Sequence, residues 1–143
     1  LFLYFSSKEE LFKAVIQENI VQHFPSWQEE LHALGGTASD MLRHAMRAWW
    51  RNVGATPASG IVKLVLSEAQ NFPDVAAFYQ EQVVNPGIQM LRGILERGVT
   101  SGEFRAMDTS KTVFSVMSPM IFLMMWKNSM GACTAAAHII DPE

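Results

Sequence analysis

The chain has 143 residues, of which 49% are hydrophobic and 17% charged, and its formal net charge is −3. That length supports one domain, or one domain with a fragment of another, and the apolar share together with 10% aromatics excludes an intrinsically disordered chain. A single cysteine, Cys133, excludes a disulfide framework and fits a reducing, cytoplasmic setting, while a pI near 5.8 argues against a broad basic nucleic-acid surface on this stretch.

No segment alternates apolar and polar residues, whereas helical spacing recurs throughout, so the fold class is all-α. The first helix is expected over 8–24. Ser7 stands at its N-cap with Glu10 three residues on, and Leu11, Phe12, Val15, Ile16, Ile20 and Phe24 repeat at three- and four-residue steps. Pro25 interrupts the pattern, and a shorter piece carrying Trp27, Leu31 and Leu34 runs to Gly35-Gly36. A third helix begins near Thr37 or Ser39, with Asp40 in its first turn, and Gly54 offers a C-terminal stop. The next, about 58–70, has Pro57 at its start and is apolar nearly all round, which predicts a position inside the molecule.

A long helical pattern then covers 75–101, with a kink expected near Asn85 because Pro86 removes a backbone donor. Gly102 ends it. The last full helix starts after Asp108 and continues to about Met130, with Pro119 as a second expected kink. Its longest uncharged stretch, Val113 to Trp126, falls short of the roughly 18–20 apolar residues of a membrane span, so no membrane partner is expected. Asp141-Pro142-Glu143 has the look of a further helix start. Leu1 falls inside an apolar run with neither an initiator Met nor a basic leader, which predicts a cut through a longer protein.

The search for chemistry is short. His23, His32, His44 and His138 form no HExxH and no nucleophile constellation, and no glycine-rich phosphate loop is present. Cys133 and His138 are five apart in a small-residue tail, a spacing too weak to define a metal site. No catalytic residue, cofactor or metal is expected. The informative run is Leu1-Phe2-Leu3-Tyr4-Phe5-Ser6-Ser7-Lys8-Glu9-Glu10-Leu11-Phe12. It sets aromatic residues just before a capped helix start that carries Lys8. Free N–H groups, the helix dipole, the lysine charge and the Tyr4 hydroxyl can together grip a phosphate backbone. An ordinary capped helix with an aromatic plug accounts for the same residues.

This run resembles the end of the DNA-binding domain of TetR-type bacterial transcriptional regulators. Their pattern is Leu-Tyr-x-Tyr-Phe, two small or variable residues, then Lys-Glu-x-Leu. Leu1, Tyr4, Phe5, Lys8, Glu9 and Leu11 match, and Phe2 replaces the first tyrosine. The segment from Arg97 to Arg105, with its Gly102-Glu103-Phe104 turn, is similar to the family's penultimate segment.

The resemblance implies a helix-turn-helix remnant over 1–13 and an effector-binding and dimerisation domain over 14–143, in multi-helix bundle packing. It implies Tyr4 and Lys8 as DNA-backbone contacts, operator DNA and a homodimeric copy as partners, and a small hydrophobic effector. For the effector, Met46, Trp49, Trp50, Phe78, Tyr79, Met90 and Phe114 are candidate lining residues with His44 as a polar anchor, although a plain core needs the same stripes. For dimerisation, Phe114, Met117, Ile121 and Met125 share one face of the last helix, while Val113, Met120, Met124 and Lys127 share another. The expected function is a ligand-responsive transcriptional repressor. A helical interaction module without a DNA role, or a small helical enzyme, would be the rival.

Overall fold

The computed structural model describes residues 7–133, which are helical apart from short connections, with no strand among them. Seven α-helices run in order: α1 Lys8–Asn19, α2 Phe24–Leu34, α3 Ala38–Trp49, α4 Ala58–Glu68, α5 Pro73–Tyr79, α6 Asn85–Thr100 and α7 Thr109–Lys127.

The starts follow local chemistry. Ser7 Oγ accepts the Glu10 amide at 3.2 Å, Thr37 Oγ1 accepts that of Asp40 at 3.1 Å, and Asp108 Oδ1 accepts that of Ser110 at 3.1 Å. Each satisfies one of the four free amides of a helix N-terminus.

The ends and joints depart more from expectation. α1 stops at Asn19, five residues short, because Ile20 leaves helical geometry at φ −131° and turns its side chain into the core. A 3-10 turn, Val21–His23, then leads into α2, where Pro25 sits in the first turn and its missing N–H costs nothing. Instead of stopping, α3 widens into a π-helical turn at Trp50–Gly54, closed by the Ala55 amide on the Trp50 carbonyl at 2.7 Å. Gly54 serves there by lacking a side chain rather than by a left-handed backbone, since a Cβ on it would lie 2.5 Å from Trp50 Cε3.

The long segment from Pro73 to Thr100 likewise contains a π-turn, Gln80–Val84, immediately before Pro86. The Asn85 amide reaches back to the Gln80 carbonyl, and Gln80 Nε2 donates to Asn85 Oδ1 at 2.8 Å. At the position of the expected kink the helix carries a widened turn, which seats Pro86 in the first turn of α6. α7 continues through Pro119 and ends at Lys127. α4 is not interior. It buries Ala58, Ser59, Val62 and Val65, but Leu64 and Leu66 are about half exposed, because only one side of the helix has neighbours.

Two buried clusters hold the fold. The larger joins Ile16, Ile20, Trp50, Val53, Val62, Val65, Val75, Tyr79 and Met124 from α1, the α3 extension, α4, α5 and α7. The smaller joins Leu31, Ala38, Met41 and Ile94, with Phe104 packed against it.

The smaller cluster is sealed by a latch from the α6–α7 connection. Glu103 accepts the Ala38 and Ser39 amides at 3.0 and 2.6 Å, so a carboxylate 64 residues away caps the N-terminus of α3. Arg97 Nη2 donates to the Gly36 carbonyl at 3.2 Å, and the Phe104 amide donates to the Gly98 carbonyl at 2.9 Å. Gly102 turns the chain at φ +76°, a backbone that favours glycine. The Phe104 ring lies flat on Gly98, where a Cβ would stand 2.1 Å from its Cδ2.

Two outcomes follow for stability. Gly98→Ala should cost about 1–3 kcal/mol through overpacking, read as a lowered urea midpoint at an unchanged slope; an unaltered midpoint would remove the ring from that glycine. The hydrogen bonds from Ser39 and Ala38 hold the Glu103 carboxyl below its ordinary value of 4.5. Its contribution is therefore complete above that value and fades as pH falls through the lowered one. Glu103→Gln should reduce the melting temperature at pH 7 and flatten its decline below pH 4.5, whereas parallel pH profiles would contradict the capping role.

Candidate functional site

An apolar cleft of about 510 Å³ opens between the end of α1, α2, the α5–α6 joint and α7. One wall is Ile20, Phe24 and Trp27, with the last two rings edge to face at 5.4 Å. Trp49 and Val53 close the back, Tyr79, Val83 and Ile88 form the opposite wall, and Phe114, Ile121 and Phe122 of α7 form the lip. Phe114 and Phe122 are 54% and 63% exposed, so the lip faces solvent.

Polar groups in the cleft are few. Gln80 and Ser118 lie along its lining, and Tyr79, 7% exposed, has no hydrogen-bond partner among the described residues. Burial pushes the Tyr79 phenol well above its ordinary value, so it stays a neutral donor across the physiological range. A second, smaller cavity of about 90 Å³ lies between α3, α6 and α7 and is lined by Met46, Met90, Met117 and Met120. The two share Trp49, Met117 and Ile121 as a common wall. The lining is thus apolar with a few isolated polar groups. The Met117 thioether on the shared wall is adaptable in shape.

Of the residues proposed from sequence for an effector, Trp49, Tyr79 and Phe114 meet in the larger cleft, and Met46, Trp49 and Met90 in the smaller cavity. Three others lie elsewhere. Phe78 packs against the main core. His44 lies on the outer side of α3, its Nε2 3.7 Å from Glu30 Oε2. Trp50 is 5% exposed and belongs to the core, with Lys127 Nζ 5.8 Å from its ring centroid and 3.5 Å from the Gly54 carbonyl.

Of the four dimerisation residues, Phe114 is exposed, Met117 and Ile121 line the cavities, and Met125 packs against the core. Lys8 is exposed at the first turn of α1, and Tyr4 lies outside the described residues.

Sequence reasoning missed Phe24, Trp27 and Phe122. The first two carry a signal, an aromatic pair flanking Pro25. The last stands eight residues from Phe114 with Ser118 between, which is one face of a helix. Among the described residues no group of three or more His, Cys, Asp and Glu is placed to hold a metal, and no helix is long and apolar enough to cross a membrane.

The described residues form an all-helical body around a hydrophobic cleft. Residues 33–141 match the model of the tetracyclin repressor-like C-terminal domain, and the chain belongs to that family of regulatory, typically non-enzymatic domains. No curated protein and no solved structure shows significant similarity to it.

The position of Trp50 sets one expectation. Trp50→Ala should cost about 3–5 kcal/mol by leaving a cavity in the core, visible as a large fall in melting temperature. A loss below 1 kcal/mol would place the ring outside the core.

Proposed function

We propose that the chain is the regulatory part of a ligand-responsive transcriptional regulator of the TetR type, acting as a repressor. In this reading a small hydrophobic or amphipathic effector occupies the apolar cleft, anchored by the Tyr79 hydroxyl, and changes operator binding. One observation supports it most directly: Ile20 and Phe24, at the junction between α1 and α2, form a wall of the cleft. The other end of α1 begins at Lys8, next to the segment that resembles the end of a DNA-binding domain. An occupant that favours one placement of that junction shifts α1, because a ligand moves an equilibrium through its differential affinity for two states. In a dimer, half-sites lie about one duplex turn apart, so a displacement of a few ångströms at each head weakens operator binding.

Lys8 and Tyr4 are the proposed backbone contacts, positioning the head without reading sequence. Residues 1–13 are the proposed remnant of the head, and 14–143 the effector and dimerisation domain. The homodimer is proposed to form through α7, with exposed Phe114 and Phe122 on the contact face and Met117, Ile121 and Met125 behind it.

The test fills the cleft. Trp27 and Trp49 both line it, so saturable binding of anilinonaphthalene sulfonate should quench intrinsic fluorescence with one site per chain. Ile121→Trp, which places a larger ring in the wall shared by both cavities, should weaken that binding at least tenfold while the helical circular dichroism persists. Unchanged affinity in a folded Ile121→Trp protein would remove the cleft as the effector site.

A further inference from the structure

The apolar cleft is uncharged as well as hydrophobic. Among the described residues no Asp, Glu, Lys, Arg or His lines it, so an occupant meets neither an ion-pair partner nor a titrating histidine there. A charge buried without a partner carries a large desolvation cost. At the lip the exposed groups are again apolar, the rings of Phe114 and Phe122.

Tyr79, Gln80 and Ser118 supply the polar side chains of the lining, and they are not equivalent. Ser118 is exposed, and its hydroxyl donates to the Phe114 carbonyl at 2.6 Å, which commits its one proton. Gln80 is exposed too, and its Nε2 donates to Asn85 Oδ1 at 2.8 Å across the α5–α6 joint. Tyr79 closes α5 with its side chain 7% exposed and its hydroxyl without a hydrogen bond among the described residues. Burial keeps that phenol protonated at physiological pH. A buried hydroxyl with no acceptor costs free energy, and the cost disappears once an occupant takes its proton. The indoles of Trp27 and Trp49, in the same lining, are donors with no accepting atom. What the buried part of the cleft lacks is an acceptor.

We propose that the occupant of the cleft is an uncharged apolar molecule carrying a hydrogen-bond acceptor, such as a ketone, ester or ether oxygen, and that Tyr79 is the residue that selects it. This inference rests on the reading of the cleft as the effector site and narrows it to one class of molecule. Carboxylic acids and amines are excluded by the missing counter-charge, since either would leave an ion desolvated against aliphatic and aromatic walls. Within the neutral class, Tyr79 favours molecules that place an oxygen against its hydroxyl, because a hydrocarbon of the same shape leaves that buried donor unpaired.

Competition against N-phenyl-1-naphthylamine, an uncharged fluorescent reporter, tests this with four compounds of nearly one shape. These are 2-acetonaphthone, 2-ethylnaphthalene, 2-naphthoate and 2-naphthyltrimethylammonium: a neutral acceptor, a hydrocarbon, an anion and a cation. The ketone should displace the reporter at a concentration at least about tenfold lower than either ion requires. Tyr79→Phe, which keeps the ring and removes only the oxygen, should weaken the ketone by about three- to tenfold and leave the hydrocarbon unchanged. A merely structural role for Tyr79 would move both compounds together. Equal or tighter binding of either ion overturns the proposal while the cleft stands as the effector site, and so does a Tyr79→Phe effect that is absent or shared by ketone and hydrocarbon. If a folded Ile121→Trp protein binds the reporter as tightly as the unaltered chain, the cleft itself fails and this proposal falls with it.

Discussion

The capping of α3 by Glu103 is the contact on which the arrangement turns. The first amides of a helix have no intrahelical partner, and here a carboxylate from the connection between α6 and α7 adds to the local Thr37 cap. The same connection lays Phe104 against Gly98, and α3 packs against α6. The span between the two partners includes the end of α3, α4 and α5, so the latch also encloses most of the main core. Closing so long a loop costs entropy that grows only slowly with length, and a charge-assisted pair of hydrogen bonds reinforced by buried aromatic area offsets it.

With α3, α6 and α7 set by the latch, the cleft is what remains between helices whose facing side chains do not fill the space. Methionine and tryptophan make up much of its shared wall. α7 is apolar on two sides, and only one meets the core: Val113 and Met124 are fully buried, while Phe114 and Phe122 look outward. At its C-terminal end a small polar knot anchors it, where Asn128 Nδ2 donates to the buried Ser59 hydroxyl at 2.9 Å and Lys127 reaches the Gly54 carbonyl. Family membership agrees with this all-helical build.

What was legible in the sequence is what neighbours in sequence decide. Ser7, Thr37 and Asp108 announce their helices because a cap acts on amides two or three residues on. The Gly-Glu-Phe turn was visible as a motif, but its task was not, because the amides of Ala38 and Ser39 lie some 64 residues away. Ile20 reads as one more member of a helical stripe, and only its burial among distant elements explains why the backbone breaks there. Trp49 and Trp50 are adjacent and equally apolar. The widened turn that follows sends one to the cleft and the other to the core. Leu64 and Leu66 show the opposite failure, since composition cannot tell a surrounded helix from one with neighbours on a single side.

The widened turn at Gln80–Val84 has a consequence for how this helix tolerates change in length. Each residue of an α-helix advances the side-chain direction by about 100°, so a turn that takes up one extra residue resets the angular phase of everything after it. Tyr79 before the joint, Val83 within it and Ile88 after it all face the same hollow. Deleting one residue between Gln80 and Val84 would let a regular helix form with Ile94 and Leu95 still facing the interior, whereas a regular helix through the full-length segment would swing them round by about 100°. The widened turn therefore acts as slack, a place where one residue can come or go without re-aiming the helix that follows.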